Sequence, residues 1–200
     1  MGDTTKLTLS GKQLSLVKDT EWIFTKQLII EKVYALFGNC IPEIRDKILT
    51  IGAVVPPEVI SSVPKIYKGE SYLQLPYVML DYPRCFNGAD IFAIRTMFWW
   101  GNFFSITLHL SGKYKSDLEQ KLTVAKLSGD FFIGINDDQW AHHFMESNYV
   151  AANNFTELQR TEVLLQKPFL KLALKFNLDD WNKMNVQLME GYGKVAALLA

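Results

Sequence analysis

The chain has 200 residues, of which 48% are hydrophobic and 13% aromatic, and it carries no formal net charge at pH 7. This apolar content is enough for one folded domain over residues 1–200 and excludes extensive disorder, with residues 1–8 left as a candidate flexible end. Balanced charges without a Lys/Arg cluster argue against a nucleic-acid or anionic-membrane surface. No apolar run reaches the ~18 residues of a membrane span, and no apolar signal-peptide segment stands at the start.

The cysteine content indicates the compartment. Cys40 and Cys85 lie far apart and in no metal-like spacing. A disulfide framework is therefore not expected, and the sequence favours a soluble cytoplasmic protein.

The N-terminal fifty residues are predicted to be helical. Ser10 begins a first helix through a capping box, and a break is expected near Asp19, where a new N-cap is available. The second helix carries a wide apolar stripe, which indicates burial on more than one side. Gly38 fits the position after its end and Pro42 follows, so a separate short helix is predicted over residues 41–49.

The middle of the chain is predicted to form a sheet. Residues 52–71 are rich in proline and glycine and are interpreted as a long loop, with one helical turn after Pro57. Long loops of this kind often act as lids or partner-binding arms. Five strands are expected from aromatic and β-branched content and from alternation, at residues 72–81, 91–99, 103–110, 131–135 and 169–176.

Further helices are expected between and after these strands. They begin at Ser116 (ending at Gly129), at Asn136 or Asp137, and at Asn154 or Thr156 (ending before Pro168), and a closing helix carries the apolar stripe Trp181, Met184, Leu188, Val195 and Leu198. Because helices and strands do not alternate strictly, the fold class is predicted to be α+β. The expected architecture is a mainly antiparallel sheet of four to five strands covered by N- and C-terminal helices. One sheet face is expected to be partly open, with Lys171 and Lys175 in water.

Residues 91–110 carry six aromatic side chains around Gly101-Asn102, which predicts a β-hairpin at the centre of the sheet. If these two residues form the whole loop, Arg95 falls on an otherwise apolar face. His109 then lies on the opposite, polar face.

Arg95 therefore needs a partner, because an unpaired buried charge costs several kcal/mol. One alternative is an ion pair with a helix carboxylate, and another is a side chain that reaches the edge of the sheet. The third is a small anionic ligand, which Arg95 would bind together with Arg84 from the preceding turn.

Asp81 and His109 form a second candidate site. A tight turn at Asn87-Gly88 would bring Asp81 onto the His109 face. A carboxylate beside an imidazole can orient it and raise its pKa, as general-base chemistry requires. A half-exposed structural histidine is the alternative interpretation.

Asp138, His142 and Glu146 form a third candidate site. They are spaced four residues apart on the expected helix, where they would share one face and bind a divalent metal. A solvated helix face explains the same pattern. The sequence contains no phosphate-binding loop, dinucleotide fingerprint or CxxC pair, so no cofactor is expected.

The leading hypothesis from the sequence is a non-catalytic cytoplasmic module. Its partner would be a small anion at Arg95 and Arg84, or a protein at the central sheet or the 52–71 loop. The rival hypothesis is a hydrolase-type enzyme that uses Asp81 and His109, or the metal site. A homodimer through exposed aromatic side chains is a further alternative.

Overall fold

One antiparallel sheet of seven strands forms the centre of the computed structural model, which describes residues 7–51, 55–118, 127 and 129–200. The strands are β1 (Lys65–Tyr72), β2 (Leu75–Asn87), β3 (Asp90–Trp99), β4 (Phe103–Ser111), β5 (Phe132–Gly134), β6 (Tyr149–Ala151) and β7 (Phe169–Asn177). The α-helices are α1 (Gly11–Lys18), α2 (Thr20–Ile51), α3 (Pro57–Ile60), α4 (Gly112–Leu118), α5 (Glu157–Gln166) and α6 (Met184–Leu199). Short 3-10 helices follow β6 and β7, at Ala152–Asn154 and Leu178–Lys183.

The strand order is β1-β2-β3-β4-β7-β5-β6, and every pairing is antiparallel. The α+β class, the antiparallel sheet and the N- and C-terminal helices are confirmed, whereas the expected count of four to five strands is wrong. β6 was not predicted, and β1 takes up residues 65–71 of the predicted 52–71 loop together with Tyr72, which was predicted to begin the next strand. Gly69 was predicted to be a loop residue but belongs to β1. A glycine is needed at this strand position because a Cβ there would lie 2.4 Å from the ring of Tyr77.

The first two helices follow the local signals only at their starts. Ser10 caps α1 with the predicted capping box, and the predicted break falls at Asp19, between α1 and α2. The predicted end at Gly38 and the separate helix over residues 41–49 are wrong, because α2 continues to Ile51 with Pro42 inside it. Its fully buried stripe runs through this region, and burial of that stripe outweighs the local cost of glycine and proline.

Three other helix predictions differ in outcome. The predicted start at Ser116 is wrong, because Ser116 lies inside α4 and its hydroxyl donates to the carbonyl of Gly112 at 3.3 Å. The rest of that predicted helix, residues 119–126 and 128, lies outside the described ones, and Gly129, its predicted end, has a left-handed φ of 83°. Of the two predicted N-caps, Asn154 and Thr156, the structure uses Thr156, which forms a capping box with Gln159, and the predicted end before Pro168 is confirmed by α5.

The main core lies on the face of the sheet that α2 and α6 cover. It is built from side chains of α2, α6 and alternate residues of the central strands, among them Val33, Phe37, Ile44, Phe92, Ile94, Phe104, Ile106, Leu108, Leu172, Leu188 and Val195. Gly191 lets α6 approach β4 closely, since a Cβ there would lie 2.8 Å from Ile106 Cδ1.

The central hairpin has a three-residue loop instead of the predicted two. Trp99 pairs with Phe103, and the backbone N–H of Trp100 donates to the carbonyl of Pro76 on β2 at 3.1 Å. This shifts β3 by one residue against β4 and reverses its predicted faces, since side chains alternate along a strand. Arg95 therefore shares a face with Thr107 and does not lie on the apolar one.

Candidate functional site

Residues 135–148, here called the strap, cover the second face of the sheet, opposite α2 and α6. The strap contains no helix, so the helix predicted from Asn136 or Asp137 is wrong. Asn136 accepts the backbone N–H of Asp138, and Asp138 accepts that of Trp140, turns that compete with a helix. The two ends meet where the Ile135 N–H donates to the carbonyl of Asn148 at 2.8 Å, which makes the strap a compact surface loop.

Two buried contacts hold the strap on the sheet. The hydroxyl of Tyr72 accepts the backbone N–H groups of His142 and His143, at 2.6 and 3.0 Å. The side-chain amide of Asn148 donates to the carbonyl of His143 at 2.5 Å, and Asn148 is fully buried. The irregular backbone of the strap is thereby satisfied by protein groups, as buried loops require.

Asp81 and Arg95 form a buried ion pair below the strap. Arg95 donates from Nε to Asp81 Oδ1 at 2.8 Å and from Nη2 to Oδ2 at 3.3 Å. The hydroxyl of Tyr67 accepts from Arg95 Nη2 at 2.9 Å and donates to Asp81 Oδ2 at 3.2 Å. Burial would lower the Arg95 pKa, but Asp81 and Tyr67 outweigh it and raise that pKa above its usual value. The partner of Arg95 is thus a strand carboxylate, not a helix carboxylate.

Arg84 takes no part in this arrangement. It follows a bulge in β2, where the chain passes through a cis peptide at Tyr82-Pro83. Its Nε donates to the carbonyl of Val63 at 3.0 Å, and its backbone N–H donates to the hydroxyl of Ser62 at 2.9 Å. The structure therefore separates Arg84 from the Arg95 site with which the sequence grouped it.

His109 is completely buried on the same face. Its Nε2 lies 3.1 Å from Gln139 Oε1 of the strap, whereas Nδ1 has no hydrogen-bond partner in the described part of the chain. Burial lowers the His109 pKa to about 3, and the nearby Arg95 lowers it further. Asp81 lies on the His109 face as predicted, but its carboxylate is bonded by Arg95 and Tyr67. The expected Asp81–His109 pair with a raised histidine pKa is not formed.

Lys171 is the unexpected member of the site. It was predicted to face water from β7, yet it is 1% exposed because the strap covers it. Its ammonium donates to the carbonyl of Ala141 and lies 3.5 Å from Asn148 Oδ1. Burial lowers the Lys171 pKa to about 8. Gly134 makes room for its stem, since a Cβ there would lie 2.9 Å from Lys171 Cβ.

The three residues proposed as metal ligands do not converge. The helix that would have aligned them is absent, and both Asp138 and Glu146 are exposed on the strap. His142 packs against the ring of Tyr72 at 5.6 Å between centroids. In the described residues, no group of three or more His, Cys, Asp or Glu side chains is placed to hold a metal ion.

Together these residues form a buried polar centre, defined as Asp81, Arg95, His109, His142 and Lys171. Burial lowers the pKa values of His109, His142 and Lys171, and repulsion by Arg95 adds to this effect in each case, while Asp138 acts in the opposite direction on Lys171. Among these five residues two cations stand against one carboxylate, since burial keeps both histidines neutral at pH 7, and the exposed carboxylate of Asp138 on the strap partly offsets the charge of Lys171. Arg95 Nη1 and His109 Nδ1 have no partner within the described residues. The centre carries a net positive charge and offers free polar atoms.

Trp140 forms the outer cover of this centre. Its ring centroid lies 5.4 Å from the Arg95 guanidinium carbon and 5.4 Å from the His109 ring centroid. Phe86 lies beside it, with its ring centroid 5.7 Å from the same guanidinium carbon and 6.3 Å from the Trp140 ring centroid. Both rings are partly exposed to solvent, so these two aromatic side chains form a thin cover between the Arg95 charge and water.

A cavity of about 300 Å³ lies beside the strap at the turn of the central hairpin. Trp99, Phe103 and the strap residues His143 and Phe144 line it, together with Lys175. The indole N–H of Trp99 and Nδ1 of His143 are buried without a partner in the described part of the chain. The strap therefore leaves both space and unsatisfied polar atoms along its inner surface.

Sequence reasoning missed Lys171, Tyr67 and the strap itself. The signals were present but ambiguous: a lysine in an apolar strand, and a run of Asn, Asp, Trp and His after Gly134. A lysine at a strand position ordinarily indicates a water-facing side chain. Only the folded strap converts that position into a buried one.

No protein-family model, no curated protein and no solved structure matches this chain. Within the described residues, no helix is both long and apolar enough to cross a bilayer.

Proposed function

We propose that this protein is a binding module for a small anion, which Arg95 and Lys171 hold in the polar centre beneath the strap. The observation that carries the proposal is the charge imbalance in that centre. Arg95 is neutralised by Asp81, whereas Lys171 has no carboxylate within ion-pair distance among the described residues: its ammonium donates to a backbone carbonyl, lies 3.5 Å from the Asn148 amide oxygen and 5.0 Å from the Tyr149 ring centroid, and is offset only by the more distant charge of Asp138. A buried ammonium without a carboxylate is costly, and function is a common reason for such a cost.

The chemistry of the centre selects a carboxylate or a phosphate-type anion. Arg95 Nη1 is a donor without a partner among the described residues, and guanidinium groups bind such anions in a fixed geometry. The Lys171 ammonium supplies the second charge. The neutral His109 ring offers a donor at Nδ1 only in the tautomer whose proton lies on Nδ1, in which Nε2 no longer donates to Gln139 Oε1.

Access to this centre requires movement of the strap around Trp140. The rest of the strap is tied down by Tyr72 and Asn148, but Trp140 lies at the surface and packs over Arg95 and His109. Displacing this ring exposes the guanidinium without breaking the sheet. The two free thiols, Cys40 and Cys85, support a reducing cytoplasmic setting for this module.

Thermal unfolding in phosphate, sulfate and acetate tests the proposal against chloride at matched ionic strength. Anion binding stabilises the folded state by RT ln(1 + [L]/Kd), so ~100-fold excess over Kd adds about 2.7 kcal/mol. We expect a specific rise in Tm for at least one oxyanion class, with a change in Trp140 fluorescence as the ring moves.

Two variants separate specific binding from general salt effects. Lys171→Met removes the charge from the centre and should abolish the oxyanion response. Lys175→Met removes an exposed lysine from the same strand and should leave it unchanged. Equal stabilisation by chloride and every oxyanion, or an identical response in Lys171→Met, would refute anion binding at this centre.

A further inference from the structure

The turn between β2 and β3 carries a pair of residues that the anion site does not use. Asn87 and Gly88 form the only Asn-Gly pair in the sequence, and both residues are exposed. Asn87 pairs with Asp90 across the turn, and Gly88 has a φ of 61°, as in a two-residue turn with glycine in its first position. The pair is therefore in direct contact with water.

The atoms that can react in this pair are free. The side-chain amide of Asn87 and the backbone N–H of Gly88 make no hydrogen bond with any described residue. A Cβ added to Gly88 would meet no atom within 4 Å, so the turn is open at this point.

An Asn-Gly pair carries its own nucleophile, the backbone nitrogen of the glycine. This nitrogen of Gly88 loses its proton and attacks Cγ of Asn87, the bond from Cγ to Nδ2 breaks, and ammonia leaves with that proton. The product is a cyclic succinimide, which one water molecule opens to aspartate or to isoaspartate. Glycine favours the attack because it has no side chain beside the nitrogen and adopts backbone conformations that other residues avoid.

We infer that Asn87 is a self-modification site, at which the chain deamidates in water without an enzyme. Every other asparagine is followed by a residue that has a side chain. Several of them also have their side-chain amides held by hydrogen bonds, namely Asn102, Asn136, Asn148, Asn153 and Asn177. Among the described residues, a free amide, an exposed turn and a following glycine coincide only at Asn87.

The fold restrains the second half of this turn and leaves the first half without such bonds. The hydroxyl of Ser111 donates to the carbonyl of Ala89 at 2.5 Å, and Asp90 Oδ1 accepts the backbone N–H of Lys113 at 2.9 Å. Ring closure needs Asn87 Cγ next to the Gly88 nitrogen, a conformation outside the extended one of a paired strand residue. The pairing of Asn87 with Asp90 must therefore open first, and the bonds to Ala89 and Asp90 oppose this opening.

Deamidation changes both the charge and the backbone of the hairpin. It places a carboxylate at position 87, directly opposite Asp90, and like charges in a cross-strand pair are destabilising. Isoaspartate also adds one carbon to the main chain beside Phe86, whose ring centroid lies 5.7 Å from the Arg95 guanidinium carbon. The modified residue is thus adjacent to the aromatic cover of the polar centre.

Ageing the purified full chain for several weeks in mildly alkaline buffer, followed by tryptic peptide mapping, tests the inference. Arg84 and Arg95 flank the site, so trypsin releases residues 85–95 as one peptide. We expect this peptide to gain the mass difference between an amide and an acid and to separate into aspartate and isoaspartate forms. The aged protein should have a lower Tm than the fresh protein. Asn87→Gln should show neither change, because the larger ring forms far more slowly.

Ser111→Ala tests the restraint that the fold places on the turn. Removing this hydrogen bond should raise the deamidation rate about two- to tenfold, the factor by which one such bond shifts a local opening equilibrium. Ser15→Ala removes the same kind of hydrogen bond in α1 and should leave the rate unchanged. Urea should raise the rate of the wild type further, since unfolding removes every restraint on the turn.

Three outcomes would overturn the inference. The first is a native chain whose 85–95 peptide keeps its amide throughout. The second is a native chain in which another asparagine reacts as fast as Asn87. The third is a deamidation rate that neither urea nor Ser111→Ala, with its fold verified by circular dichroism, increases. None of these measurements depends on the anion site.

Discussion

Replacing Lys171 with methionine should stabilise the protein at neutral pH while removing its proposed ligand response. The fall in the Lys171 pKa from 10.5 to about 8 corresponds to about 3 kcal/mol by which folding disfavours the charged form. Methionine fills a similar volume without a charge, but it leaves the carbonyl of Ala141 without its donor, which costs about 1–2 kcal/mol. The net expected gain at pH 7 is about 1–2 kcal/mol, roughly 2–8 °C in Tm for a chain of this size.

The gain should depend on pH in a defined direction. Between pH 8 and pH 10.5 the unfolded chain still holds the Lys171 proton, whereas the folded chain has released it. Stability rises with pH wherever the unfolded state binds more protons. The free energy of unfolding of the wild type should therefore rise by about 3 kcal/mol relative to that of the variant across this window. The advantage of Lys171→Met should therefore vanish near pH 9 and reverse above it.

Urea unfolding at several pH values between 7 and 10.5, followed by circular dichroism, measures this difference directly. Lys175→Met is the matched control, because Lys175 is exposed on the same strand and its loss should cause no such pH-dependent difference. A difference in the free energy of unfolding between wild type and Lys171→Met that does not change with pH would show that burial does not disfavour the charged form of Lys171. Destabilisation by Lys171→Met of more than about 2 kcal/mol at pH 7 would show a structural role instead.

Three further predictions concern other buried groups. Asp81→Asn leaves the Arg95 charge unpaired and should cost about 3–5 kcal/mol in urea unfolding, whereas Asp81→Leu with Arg95→Met should cost much less; equal losses would contradict a buried ion pair. Below pH 6.5 His109 is protonated in the unfolded chain, whereas in the folded chain it stays neutral down to about pH 3. The free energy of unfolding of the wild type should therefore fall by up to about 5 kcal/mol relative to that of His109→Gln over this window. Parallel acid-unfolding profiles of the two proteins would refute this. Burial raises the Cys40 pKa to about 12, so Ellman's reagent should titrate at most Cys85 in the native protein and both thiols in urea, and two native equivalents would contradict the packing.

The polar centre shows how a stability cost can indicate a binding site. The hydrogen-bonding groups of Asp81, Arg95 and Tyr67 are almost completely satisfied by one another, so a structural role accounts for these three residues. Lys171 does not, since an apolar residue in its place would remove the cost of burial. If the oxyanion response is absent and Lys171→Met is more stable at pH 7, the lysine becomes a buried charge with no role in binding.

Local patterns were sufficient where a few neighbouring residues decide the structure. The capping box at Ser10, one of the two N-caps considered for α5 (Thr156), and the existence of β7 depend on contacts within one turn or one strand, and these were predicted correctly, whereas the water-facing side expected for β7 was not. The end of α2 was not, because burial of Phe37 and Ile44 against distant strands outweighs the local signals at Gly38.

The sequence by itself determined which residue types could serve the candidate site, and it identified Asp81, Arg95 and His109 as residues that need partners. Only the tertiary structure decided the partners. One extra loop residue at Trp100 put Arg95 on the face of Thr107, and the bulge in β2 between Asp81 and Arg84 placed Asp81 opposite Arg95. The strap then covered Lys171 with backbone that is far away in the sequence. Because side chains alternate along a strand, the face on which a residue lies depends on the number of residues in the neighbouring turn. Whether that residue is buried depends on the segment packed over that face. Neither property is encoded in the strand sequence alone.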